Sequence, residues 1–100
     1  MSQHQYKMKA KVWLYTGVGA WHFVTLPVKQ SKEIKSLYGG MKKGWGSIPV
    51  NVTIGTTTWK TSIFPDTKSN AYLLPLKADI RKKENILDGD TVTFYIDVAL

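Results

Sequence analysis

The sequence predicts an all-β fold: a small pseudobarrel of six main strands in two pseudo-symmetric halves, with short capping helices. Three observations carry this. Apolar and polar residues alternate with period two through several short segments, as half-buried strands require. The corners Leu26-Pro27 and Leu74-Pro75 recur 48 positions apart, each between a strand and a helical stretch. Six short strands and two short helices cannot build two separate cores, so both halves must share one interior, which also removes exposed edges.

Tyr6 to Tyr15 alternates, with Met8, Ala10, Val12 and Leu14 on one face and Lys7, Lys9, Lys11 and Trp13 on the other. Gly17-Val18-Gly19 turns the chain into a second strand, Trp21 to Leu26, rich in aromatic and β-branched residues and ended by Pro27. Ser31 offers an N-cap to a short helix carrying Ile34, Leu37 and Tyr38, which Gly39-Gly40 stops. Lys42-Lys43-Gly44-Trp45-Gly46 reads as loop. Ile48 to Ile54 is a third strand, Gly55-Thr56 a turn, and Thr58 to Phe64 a fourth strand. After a polar loop come a fifth strand, Ala71 to Leu74, and a second helix, Ala78 to Glu84. Leu87-Asp88-Gly89-Asp90 is a tight turn before Thr91 to Val98, whose Val92, Phe94, Ile96 and Val98 face inward. The halves thus run over about residues 6–54 and 58–98. Core packing is the expected role of Trp21, Phe23, Phe64, Tyr72 and Phe94.

A chain of 100 residues, 43% hydrophobic and 21% charged, is expected to be one domain over residues 1–100. The absence of Cys excludes disulfides, thiol catalysis and thiolate metal sites, and fits the reducing cytoplasm, the expected location. The N-terminal segment lacks the apolar core of a signal peptide, and no apolar run approaches the about 18 residues of a membrane span. No membrane partner is expected. The fused halves make a monomer sufficient.

The net charge of +7 is uneven: residues 1–65 carry nine Lys and a single acid, Glu33, while residues 66–100 carry five basic and six acidic residues. Such asymmetry points to an anionic partner, with nucleic acid foremost; surplus lysine serving solubility alone is the competing reading.

A set of residues carries a family resemblance. Trp21, Phe23-Val24 and Leu26-Pro27 are followed by Ile48-Pro49-Val50, Trp59, Thr61-Ser62-Ile63 and Pro65. Then come Tyr72 through Lys82, Gly89-Asp90 and Val92. This set resembles the bacterial DUF1905 family, a domain of unknown function. The resemblance covers nearly the whole chain and is most specific at Leu74 to Arg81 and Gly89-Asp90. It implies a double-split β-barrel capped by short helices, and no assigned activity. Leu74-Pro75, Ile80-Arg81-Lys82, Ile86, Gly89-Asp90 and Val92 are also similar to the half-barrel of AbrB-type transition-state regulators, which build one barrel from two chains and bind DNA. The first half departs from that pattern: a Lys- and Gly-rich loop stands where Gly-Asp precedes the final strand.

The candidate site residues are Lys42, Lys43, Trp45, Lys77 and Arg81. A Trp between glycines in a basic loop suits stacking on a base while the lysines meet phosphates; the other reading has Trp45 plugging one barrel end. Lys77 and Arg81 are four apart, and with Lys82, Lys83, Lys29, Lys32 and Lys35 they suit two basic caps. The competing reading pairs Lys77 or Arg81 with Asp79, Glu84 or Asp90. Enzyme chemistry finds no template: the only histidines are His4 and His22, no Ser sits in a nucleophile elbow, and Gly39 to Gly46 lacks the ending of a P-loop. No metal and no cofactor is expected. The expected function is a non-enzymatic binding module for an anionic partner, with a protein-interaction or small-ligand module as the alternative.

Overall fold

Strict alternation sets the barrel's inside and outside. The computed structural model describes residues 5–17, 20–41 and 46–99. In β1 (Gln5–Tyr15) Met8 and Val12 are buried while Lys7, Lys9 and Lys11 are exposed, since successive side chains leave a strand on opposite faces. β2 (Trp21–Thr25), α1 (Val28–Tyr38) and a 3₁₀ turn (Gly39–Met41) follow. β3 (Ile48–Ile54) ends the first half, and the second runs through β4 (Thr57–Asp66), β5 (Ala71–Pro75), α2 (Ala78–Lys83) and β6 (Thr91–Val98).

The strands close into a barrel in the order β1-β2-β5-β4-β3-β6, every neighbour antiparallel. Exchanging β1 with β4, β2 with β5 and β3 with β6 leaves this ring unchanged, which is the twofold relation the repeated corners predict. β2 and β5 meet at that axis through the register Phe23↔Pro75, Val24↔Leu74 and Thr25↔Leu73. The Leu-Pro corners extend the ladder: Leu26 N donates to Tyr72 O at 2.9 Å, and Leu76 N to His22 O at 2.9 Å. Because β2 leads into α1 and its antiparallel partner β5 leads into α2, the helices cap opposite ends.

The interior is filled by side chains from all six strands. Val12, Val24, Ile48, Val52, Ile63, Leu74, Phe94 and Ile96 are fully buried, and Ile34 joins them from α1. Each contributes about 1.5–3 kcal/mol by leaving water. β6 matches its predicted pattern, with Val92, Phe94, Ile96 and Val98 inward.

The start of α1 differs from expectation. The helix begins at Val28 with Pro27 at its N-cap, and no side chain caps it. Proline is suited there because it has no amide hydrogen to leave unpaired. Ser31, predicted as the cap, lies within the helix, and its buried Oγ accepts Tyr72 N at 3.1 Å, pinning α1 to β5. At the other end the turn before β6 is clamped to β1: Gly89 N donates to Val12 O and Val12 N to Asp90 O, both at 2.8 Å. Gly89 holds φ at 89°, a region that favours glycine, and the Asp90 carboxylate accepts Leu87 N at 2.9 Å. The Gly-Asp pair is therefore a strand-anchoring turn.

Ser31→Ala leaves a buried amide without its acceptor and is expected to cost about 1–2 kcal/mol. Phe94→Ala empties the centre of the barrel and is expected to cost about 3–5 kcal/mol. Urea unfolding of both variants measures the two; a Ser31→Ala protein as stable as the parent would remove the helix pin from this account.

Candidate functional site

The outward side of β1 carries one row of five residues: Lys7, Lys9, Lys11, Trp13 and Tyr15. The three lysines pair across to β6 at Tyr95, Thr93 and Thr91. Lys7 Nζ lies 6.0 Å from the centre of the Tyr95 ring, a cation–π distance. The two aromatics pair across to β2, Trp13 with Phe23 and Tyr15 with Trp21. The hairpin thus presents four aromatic rings outward. Trp13 and Phe23 lie 5.2 Å apart between ring centres, and Trp21 stacks on Phe23 at 6.3 Å and 18°. Tyr15 meets Phe23 edge-on at 6.5 Å. Trp13 is held in place by its Nε1, which donates to Thr25 Oγ1 at 2.9 Å.

The apolar surface continues past β2. Phe23 is opposite Pro75 and Thr25 opposite Leu73 on β5, and Leu73 is opposite Phe64 on β4. Trp21 is 53% exposed, Tyr15 45% and Phe64 41%, values that place these rings on the surface. This corrects the expectation that Trp21 and Phe64 pack in the core; Phe23 is half-buried among its neighbours, and only Tyr72 and Phe94 of that group are interior. The physical reason is parity. Val24 and Leu26 must face inward, so Trp21, Phe23 and Thr25 face out. That signal was present in the sequence, in the register counted back from the Leu-Pro corner.

Of the predicted site residues, Lys77 and Arg81 fall among the described ones. Lys42, Lys43 and Trp45 lie outside the described residues. Lys77 immediately precedes α2 and Arg81 lies within it. Lys77 is the exposed residue before α2, with extended backbone (φ −67°, ψ 154°). It therefore keeps the outward parity of Leu73 and Pro75 and borders the aromatic face on the Trp21 side. Arg81 is half-buried, and its Nε donates to Leu76 O at 3.2 Å, tying α2 to the second Leu-Pro corner. Glu84, at the end of α2, accepts the Thr57 hydroxyl at 2.7 Å and so holds α2 to the start of β4.

Two phenols are perturbed. Burial pushes the Tyr72 phenol above its ordinary value. Burial also raises Tyr6, which packs against the core near α1, with further increments from Tyr38, the Glu33 charge and a hydrogen bond to Tyr38. Both rings stay protonated, and neither adds charge to the surface. Trp59 of β4 is partly buried against the core, and its Nε1 and His22 Nδ1 are buried without a hydrogen-bond partner among the described residues. Among those residues no three His, Cys, Asp or Glu side chains gather as metal ligands, and no helix is long and apolar enough to cross a membrane.

The model of the family described as Domain of unknown function (DUF1905) matches residues 9–96. The chain belongs to this family. The match takes in Lys9, Lys11, the four aromatics of the hairpin, both Leu-Pro corners and the Gly89-Asp90 turn, so the DUF1905 unit contains the whole aromatic face. No curated protein matches the chain. In this DUF1905 barrel the outward rings are not required by the core. Trp21→Ala is expected to change stability by less than about 1 kcal/mol, the scale of one exposed aromatic pair. Thermal unfolding tests this; a loss like that of Phe94→Ala would return Trp21 to the interior.

Proposed function

We propose that this protein is a non-enzymatic binding module for single-stranded nucleic acid, and that the outward face of the β1–β2 hairpin is its platform. One observation carries the reading: the row Lys7, Lys9, Lys11, Trp13 and Tyr15 sets ammonium groups and stacking surfaces in line on one strand. At about 3.4 Å per residue the row is roughly 27 Å long. Single-stranded chains are bound by this combination, a basic track for phosphates and exposed rings on which bases stack without sequence preference. Residues 5–25 contain three Lys and no acid, so nothing on the hairpin repels a phosphate. Trp21 and Phe23 widen the stacking surface, and Lys77 adds charge at its far border. Backbone-facing lysines and π-faces suit a flexible strand whose bases are free, rather than a duplex whose bases are stacked within.

A second reading rests on Phe64, Leu73 and Pro75, which extend the apolar surface away from the lysines. A protein partner with an apolar stripe and an acidic flank would cover this larger area. The likeness of the second half to AbrB-type regulators adds only fold-level support for nucleic acid.

Titration of fluorescent single-stranded DNA and RNA oligomers across a salt series tests the first reading. Log affinity is expected to fall linearly with log salt. The triple variant Lys7→Gln, Lys9→Gln, Lys11→Gln is expected to flatten the slope by about 2, at roughly 0.7 per phosphate contact. Trp21→Ala is expected to weaken binding by about 1–3 kcal/mol, the worth of one stacked base. No binding at low salt, or a triple variant with the parent's slope, overturns the platform.

A further inference from the structure

A cavity of about 460 Å³ lies at the α1 end, apart from the β1–β2 face. Ser31, Lys32 and Lys35 of α1 form one wall, and the β4–β5 hairpin forms the other with Asp66, Asn70 and Tyr72. Both walls are fixed by hydrogen bonds. Ser31 Oγ accepts Tyr72 N at 3.1 Å and sets the separation of helix and strand. Asp66 Oδ2 accepts the Ser69 hydroxyl at 2.7 Å and Ser69 N at 3.3 Å, and Asn70 turns the hairpin at φ 56°.

The volume falls in the range of small-molecule sites, roughly 300–1,000 Å³. The lining is divided by chemistry. Lys32 and Lys35, one helical turn apart, supply two ammonium groups. Among the described lining residues Asp66 is the one carboxylate, bonded by Ser69, and two lysines against it leave the balance positive. Opposite the lysines, Pro65, Ala71 and Tyr72 make the apolar part of the wall. A dry packing gap does not have such a lining; polar, roomy cavities hold water that a ligand can displace.

We propose that this cavity binds a small aromatic monocarboxylate, its carboxylate between Lys32 and Lys35 and its ring against Pro65 and Tyr72. The proposal is independent of the strand-face reading, because it uses none of the same residues.

The test is an amide chemical-shift titration of the full chain with benzoate and 1-naphthoate to about 5 mM, a range that detects weak, millimolar complexes. Benzamide and benzylamine serve as neutral and cationic counterparts. Shifts at Gly39, Asn70, Ala71 and Tyr72 are expected with the carboxylates only. The double variant Lys32→Ala, Lys35→Ala, at two exposed helix positions, is expected to keep the parent spectrum elsewhere and weaken binding about tenfold. No localised shifts with either carboxylate, equal shifts with benzamide, or shifts centred on Trp13, Trp21 and Phe23 overturn it. Phosphate ions run alone distinguish a general anion site: shifts as large as those with benzoate would also defeat the aromatic assignment.

Discussion

The ladder between β2 and β5 is the constraint on which the rest of the structure depends. It is one of the four ladders that join the two halves, and it is extended by the backbone bonds at the Leu-Pro corners, Leu26 to Tyr72 and Leu76 to His22. Without it the ring opens into one six-stranded sheet, β2-β1-β6-β3-β4-β5, with unpaired edges at β2 and β5. With it the ring closes, and the parity of every strand is settled. A slip of one residue would send Val24 and Leu74 outward and Phe23 and Pro75 inward. The corners resist that slip. Pro27 and Pro75 lack an amide hydrogen and so cannot continue the ladder as their neighbours do. One interaction thus decides both what the core contains and which rings are left on the surface.

Most of the fold is legible in the sequence because the strands that matter alternate cleanly. Ile48–Ile54 and Thr91–Val98 occur where period two places them. The repeat was visible as an order of elements even though few residues match, since a twofold barrel needs equivalent corners and not equivalent surfaces. The helix start was less legible. Ser31 has the chemistry of a cap, but Pro27 already provides a suitable first turn, and the serine hydroxyl serves a tertiary bond instead. A local rule lost to a contact 41 residues away.

The site was legible in kind and less so in place. Basic and aromatic residues side by side were read as a binding surface, and the structure does place lysines and rings together on one face. It does so on β1, where alternation already sets Trp13 beside the lysines, and on β2, where aromatic content alone points to packing. Large rings are buried on average, so composition argues for the core; parity argues otherwise for alternate residues of a short strand, and parity prevails because the ladder is rigid. Lys77 reaches the border of this face through extended backbone, whereas Arg81, four residues on, is turned by α2 toward Leu76 O. Spacing on a presumed helix face joined two residues that the real boundary of the helix separates.

Stability alone does not account for the outward rings. In a closed barrel, aromatic residues on the solvent side gain only what they bury against each other, about 0.5–1.5 kcal/mol per pair beyond area. Threonine and valine would serve the strand equally well, and β6 shows it, with Thr91 and Thr93 outward across from lysines. The aromatic surface also raises the risk of self-association that soluble monomers restrain by keeping such patches small. Lysines continuing along the same strand lessen that risk, since two copies approaching through this face bring like charges together. In the function proposed above, an arrangement that repels itself yet offers rings and ammonium groups in line would favour a flat-faced, negatively charged partner. That combination of a self-avoiding charge and an unburied π-surface is what distinguishes this face from the rest of the barrel, whose outward residues are mostly hydroxyls and isolated charges.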